Sequence, residues 1–394
     1  MALVSLADFE ARAQEVLPAP VLDYYQGGAN DEVTLRENRA AFDRIRLHYR
    51  VLRGTYQRDM SVTVLGHPLR MPILVAPVAL LGMARPDGDA AAARAASAAG
   101  SIFVLSTLSM TPVEDVARAA DGPVWFQLYV YKDRAATAAL VKRIEAAGCS
   151  AIELTVDASV PGQRERDVRN SFAAPDGLWA PNFAAEASRQ RAERQEGSEL
   201  AATFASMIDP GLSWDDVTWL QSITSLPIVI KGVVRADDAV HAVQAGAAAI
   251  VASNHGDRQL DTAPAAIEVL ASITQAVGGR VEVLVDGRVR RGTDVVKALA
   301  LGARAVQVGR PVVWGLATDG ERGVADVLRI LGQELDTAMG LCGCPSLAEI
   351  TSDLIEPDQQ RYDQATSSLS GIIGPLHDLP HPRSALGGHA RDLP

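Results

Sequence analysis

Eight short apolar runs alternate with alanine-rich amphipathic segments along this chain, and that alternation constrains the fold more than any other feature. The runs fall at 72–77, 101–107, 123–130, 151–157, 227–233, 248–254, 281–287 and 305–310. Their length and β-branched content read as strands. Helical patterns lie between them at 88–99, 134–147, 236–245, 264–276 and 293–301. Several end in a glycine, a common helix stop: Gly100, Gly148, Gly246 and Gly302. Near-continuous apolar strands joined by helices imply a parallel sheet covered on both faces. Eight such units imply an α/β chain closed into a (β/α)8 TIM barrel. An open doubly wound sheet is the alternative, but no G-x-G-x-x-G follows the first run, so a Rossmann nucleotide site lacks support.

Three segments fall outside the repeat. Residues 1–70 precede the barrel and read as a helical extension, opening at Ser5 with Asp8 placed for a capping box, and with a short extended piece near 61–65. Residues 171–213 separate the fourth run from its helix and read as a long lid loop. The barrel is expected over 71–355, and 356–394 reads as a poorly packed tail.

Composition excludes several classes. The chain has 394 residues, 48% hydrophobic and 22% charged, which excludes a disordered protein. Its formal charge of −11 argues against nucleic acid or an anionic membrane as the main partner. Cys149, Cys342 and Cys344 cannot form a disulfide framework, and no Cys/His cluster suggests a metal. No signal peptide or membrane span is evident, so a cytoplasmic protein is expected.

A (β/α)8 barrel places its active site at the C-terminal ends of the strands. Those ends carry Ala76-Pro77, Ser106, Gln127 with Tyr129, Thr155 with Asp157, Lys231, the stretch 253–258 (SNHGDR), Asp286-Gly287 and Gly309-Arg310. Lys231 ends an apolar strand, where a lysine needs a partner. It stabilises negative charge on a bound ring, forms a Schiff base, or is simply salt-bridged. His255 beside Arg258 reads as a general base next to an anion-binding guanidinium. Asp157 reads as the partner of a histidinium or an arginine. Arg164 is either a second carboxylate clamp or a surface charge, and Tyr129 either a donor to substrate or core packing. The loops after the last two strands are the usual phosphate site of such barrels. Here they hold Gly287, Arg288, Arg290, Gly309 and Arg310, which points to a phosphate-bearing ligand.

The stretches 253–261 (SNHGDRQLD), 286–303 (DGRVRRGTDVVKALALGA) and 226–232 (LPIVIKG), with 126–129 (FQLY) and 155–157, resemble the FMN-dependent 2-hydroxy acid oxidases and dehydrogenases. That family includes glycolate oxidase, lactate oxidase and mandelate dehydrogenase. The resemblance runs over about residues 5 to 355. It implies FMN across the barrel top, held by Ala76, Pro77, Val78, Ala79, Ser106, Gln127, Thr155 and Ser253. Lys231 would sit near flavin N1 and O2, Asp286 and Gly287 near the ribityl chain, and Arg290, Gly309 and Arg310 at the phosphate. His255 would be the base, supported by Asp157. Arg164 and Arg258 would hold the substrate carboxylate, with Tyr24 and Tyr129 donating hydrogen bonds.

Two departures from the family stand out. Leu108 replaces the tryptophan of glycolate oxidases, which widens the pocket and favours an aromatic acid, as in the 4-hydroxymandelate oxidases that 107–109 resembles. Arg288 replaces a glycine in the phosphate loop, where it either adds a phosphate contact or forces a small backbone change. The expectation is oxidation of an S-form, mandelate-like 2-hydroxy acid to the 2-keto acid, with O2 reduced to H2O2, by a homotetramer. A small aliphatic substrate, a dehydrogenase or monooxygenase variant, and a flavin-binding protein without turnover are the alternatives. The mixed charge of 171–213 favours an oxidase over a membrane-bound dehydrogenase.

Overall fold

A computed structural model of the protein describes residues 3–173, 181–182 and 198–355. The expected tail at 356–394, and most of the expected lid at 171–213, therefore lie outside the described residues.

The N-terminal helix Leu6–Val16 starts where its cap predicts. The Asp8 amide donates to Ser5 Oγ (3.3 Å) and the Ser5 amide to Asp8 Oδ2 (2.9 Å), which satisfies two otherwise orphaned donors. Helices Ala19–Gln26 and Val33–Arg44 follow. The extended piece is then a two-stranded hairpin, β1 (Val62–Val64) with β2 (His67–Leu69). Its inward side chains Val62, Val64 and Leu69 pack against Leu74, Val104, Trp125, Val229 and Leu284 from inside the barrel. The hairpin thus plugs the N-terminal end, and each such side chain contributes about 1.5–3 kcal/mol by leaving water.

The eight apolar runs all become parallel strands: β3 (Ile73–Val75), β4 (Phe103–Ser106), β5 (Val124–Leu128), β6 (Ala151–Thr155), β7 (Ile228–Val233), β8 (Ala249–Ala252), β9 (Glu282–Val285) and β10 (Ala305–Val308). They close as a TIM barrel in the order β10-β3-β4-β5-β6-β7-β8-β9. The strand period of two then sorts side chains. Phe103, Phe126, Ile152, Ile230 and Ile250 face the helical layer, while Trp125, Val229 and Val251 face the interior with the hairpin. After helices Arg134–Ala146 and Ala236–Gln244 the chain turns at Gly148 and Gly246 with φ of 84° and 81°, a region that only glycine enters cheaply.

Two features depart from the sequence expectation. The 171–213 segment is not all loop, because Glu199–Met207 is a helix capped by Ser198. Strand middles are also not wholly apolar: Glu153 and Gln307 are buried inside β6 and β10.

Candidate active site

The C-terminal ends of all eight barrel strands line one open cleft.

His255 sits just beyond β8 with φ of 58°, and its amide donates to Ser253 Oγ (3.0 Å). This turn brings the ring over the cleft, with Nδ1 2.8 Å from Asp157 Oδ1. Burial lowers the imidazole pKa more than Asp157 raises it, so the net shift is downward and the ring is neutral near neutral pH. Burial would raise the Asp157 carboxyl, but the His255 charge and hydrogen bond hold it below the usual range. With Nδ1 engaged, Nε2 is the nitrogen offered to the cleft. An ionised carboxylate behind a neutral imidazole is the arrangement of an oriented general base.

Two guanidiniums stand beside it. Arg164 Nε donates to the Arg258 carbonyl (3.2 Å), and Arg164 Nη1 lies 3.8 Å from Asp167. Burial, then the charge of Arg258, pushes Arg164 down to about 10. Arg258 lies over the Tyr24 ring, 4.7 Å from its centroid, and donates to the Tyr24 and Gly27 carbonyls. Two crowded cations favour an incoming carboxylate, which relieves their repulsion. Tyr24 stacks on Phe172 (4.6 Å). Tyr129 is buried and its hydroxyl pKa is raised, first by burial and then by Asp157, so it stays a proton donor.

Across the floor, Gln127 Nε2 donates to Thr155 Oγ1 (3.0 Å), and Gln127 Oε1 accepts from Ser106 Oγ (3.3 Å) and the Thr107 amide (3.2 Å). This chain fixes the polar edge of β4, β5 and β6. Lys231 Nζ donates to Ser253 Oγ (2.9 Å) and pairs with Asp286 Oδ2 (3.0 Å). Burial opposes its charge, but Asp286, Asp157 and Glu153 together raise its pKa, so it remains an ammonium. A salt-bridged cation held this firmly does not suit a Schiff base, which needs the free amine.

The last two loops form a cationic end. Arg290 is half-buried, its pKa is pushed down to about 10 by desolvation and by Arg288, and its buried Nη2 has no partner. Arg288 Nε is likewise buried without one. Arg288 reaches this position with φ of 63°, a strained backbone for a residue with a side chain. Asp294 holds the loop, accepting from the Arg290 amide (2.9 Å) and from Arg39 (2.6 Å). The N-termini of helices Gly292–Ala300 and Arg310–Cys342 follow these loops and add oriented amides. Arg310 also lines the cleft, with Nε and Nη2 donating to the carbonyls of Tyr25, Gly27 and Gly256. Buried cationic groups without partners fit a phosphate dianion, and the amide and hydroxyl floor fits a flat ring that hydrogen-bonds along its edge. The residues present therefore fit FMN.

The cleft brings together Tyr24, Ala76, Pro77, Val78, Ala79, Ser106, Leu108, Gln127, Tyr129, Thr155, Arg164, Lys231, His255, Arg258, Asp286, Gly287, Arg288, Arg290, Gly309 and Arg310. Ser253 and Asp157 stand directly behind it, through Lys231 and His255. Residues not anticipated from sequence include Leu200, Ala201 and Phe204 of helix Glu199–Met207, together with Tyr25 and Gln307. Phe204 meets Tyr129 edge-on at 4.8 Å. The Ser198 cap before LAATF was the signal that could have revealed this helix. Among the described residues, no cluster of His, Cys, Asp or Glu could hold a metal ion, and no helix is long and apolar enough to cross a membrane.

The family described as FMN-dependent dehydrogenase matches residues 13–357. Glycolate oxidase 1 of Oryza sativa subsp. indica is 50% identical over 359 residues, covering 91% of this chain and 97% of that protein. An L-lactate oxidase of Nostoc sp. is 48% identical over 356 residues, covering 89% and 98%. A crystal structure of mandelate oxidase with (S)-4-hydroxymandelic acid is 43% identical, with a TM-score of 0.85, and covers 90% of this chain and 98% of that one.

Proposed function

The chain belongs to the FMN-dependent dehydrogenase family, with FMN as its cofactor, and from that premise we propose that it oxidises an S-form, aromatic 2-hydroxy acid to the 2-keto acid, with O2 reduced to H2O2. The observation that carries this reading is the Asp157–His255 pair beside Arg164 and Arg258, a neutral base next to a double carboxylate clamp.

FMN, when bound, supplies the two-electron acceptor and a conjugated ring over the cleft floor. Arg290, Gly309 and Arg310, with Arg288 and the helix N-terminal amides, would hold its phosphate. Asp286 and Gly287 would line its ribityl chain, and Lys231 would keep a positive charge at its pyrimidine edge. Arg164 and Arg258 fix the substrate carboxylate, which removes rotational freedom before reaction. Tyr24 and Tyr129 donate to the substrate oxygens. His255 Nε2 takes the proton that leaves the substrate, and Asp157 stabilises the resulting imidazolium.

The aromatic preference rests on the apolar wall of Leu108, Leu200, Ala201 and Phe204, which offers a ring contact area and no hydrogen bond. Identity favours a second reading, a small aliphatic substrate, because glycolate oxidase is the more similar in sequence. Assembly as a homo-oligomer belongs to the same proposal. The exposed Tyr49, Val51, Leu52, Tyr56 and Leu341 support it.

The test is peroxide formation in air across S-mandelate, R-mandelate, L-lactate and glycolate. S-mandelate is expected to give the highest kcat/KM. A preference for glycolate selects the second reading, and keto acid formed without peroxide removes the oxidase assignment.

A further inference from the structure

Glu153 stands between Ala151 and Thr155 on the interior face of β6 and is fully buried. β6 and β10 lie four places apart around the closed barrel, so they face each other across its interior. The 2.6 Å bond from Gln307 Nε2 to Glu153 Oε2 therefore spans that interior. Oε1 of Glu153 and Oε1 of Gln307 are both buried without a protein partner. The pair lies between the apolar, hairpin-plugged lower interior and the cleft, which Gln307 itself lines.

The groups facing Glu153 are few. From β7 comes Lys231, from the end of β9 Asp286, and from beyond β6 Asp157. From β10 comes Gln307, and from β5, Gln127 stands beside it in register. β3 and β8 present apolar Leu74 and Val251, and β4 presents Val104 with the uncharged Ser106 beside Gln127. One ammonium thus answers to three carboxyl groups. An apolar side chain would fill this place without the desolvation cost of an acid, so packing alone does not account for Glu153.

We propose that Glu153, held by Gln307, is a positioning residue for the redox step: it sets the net charge that Lys231 presents to the pyrimidine edge of the flavin. The proposal rests on the flavin seat described above. Burial raises the Glu153 carboxyl to about 7, with Asp286 and Asp157 raising it further against Lys231 and Gln307. Below that value Glu153 is neutral and Lys231 faces only Asp286 and Asp157. Above it a third carboxylate offsets the ammonium, and negative charge arriving on the ring is less favoured. By linkage, negative charge on the ring draws a proton from solvent onto Glu153.

The test uses the FMN-loaded protein and sulfite, an anion that adds to flavin N5 and leaves negative charge on the ring. Sulfite dissociation constants are read from flavin absorbance for wild type and Glu153→Gln, and their ratio cancels the titration of sulfite itself. The expected ratio is near one at about pH 5.5 and about tenfold at about pH 8.5, with the variant tighter, the size of a one-unit coupling. A ratio that does not change with pH overturns the proposal. Gln307→Leu keeps the acid but removes a donor that lowers its pKa, so the wild-type inflection should move to higher pH. An inflection left in place also overturns it. A purified wild type that carries no flavin would instead overturn the seat itself.

Discussion

At the scale of single residues, the site is governed by how burial and neighbouring charges divide protons between His255 and Asp157. The imidazole is held neutral and the carboxylate ionised, so the pair enters the reaction already in the right state. The sign is explicit: the base must be unprotonated, its folded pKa is lowered, and so the acid limb of kcat/KM should lie below the ordinary imidazole value. Asp157→Asn removes the group that raises the His255 pKa and leaves burial unopposed. The variant should lose roughly 100-fold or more in kcat, as for other displaced acid–base groups, while its acid limb moves further down in pH. A pH–rate profile of both proteins checks this, and a limb that moves up would contradict the assignment. Arg164→Met should act differently. It removes a charge-assisted clamp worth about 1.5–3 kcal/mol, and most of the loss should appear in KM. Steady-state kinetics separates the two patterns, and a loss confined to kcat would remove Arg164 from the clamp.

At the scale of elements, helix Glu199–Met207 and the turn after β4 supply the apolar wall of the cleft. Leu108 and Phe204 form apolar wall on two separate elements, so their effects on substrate choice should add if they act independently. Leu108→Trp should lower kcat/KM for mandelate by about 10-fold or more and spare glycolate, since a few methylenes of misfit cost about 1–3 kcal/mol. Phe204→Ala should also weaken mandelate selectively. Equal losses on both acids would show that neither residue reads the substrate side chain. The same elements show where sequence reasoning works. The eight strands were legible because β-branched apolar runs between glycine-stopped helices are a local signal. His255, Arg258, Lys231 and Asp157 were legible because they sit at predictable strand ends. Helix Glu199–Met207 was hidden inside a proline-interrupted, highly charged stretch. Glu153 and Gln307 meet only when the barrel closes, across 154 residues of chain, so no local pattern could pair them. The carbonyl contacts of Arg310 depend on how the Tyr25–Gly27 backbone docks, which is likewise non-local.

At the scale of the whole molecule, a chain of net charge −11 gathers Arg288, Arg290 and Arg310 at one end of its barrel, where Arg288 Nε and Arg290 Nη2 have no partner and suit an anion. Folding without that anion leaves Arg290 desolvated and beside Arg288, so its charge opposes the fold at neutral pH. Arg290→Gln should therefore leave the flavin-free protein as stable or more stable. It should also reduce the stabilisation by FMN, which reaches about 4 kcal/mol when the ligand stands ~1,000-fold above Kd. Thermal unfolding with and without FMN reads both signs, and a variant that loses stability equally in the two states would make Arg290 structural rather than a phosphate ligand. The central claim, that this barrel holds FMN to take electrons from an aromatic 2-hydroxy acid, is tested most directly by titrating the purified flavoprotein without oxygen and following its flavin absorbance. S-mandelate should bleach the flavin fully and faster than lactate or glycolate, whereas a flavin that no 2-hydroxy acid bleaches would contradict the account at its root.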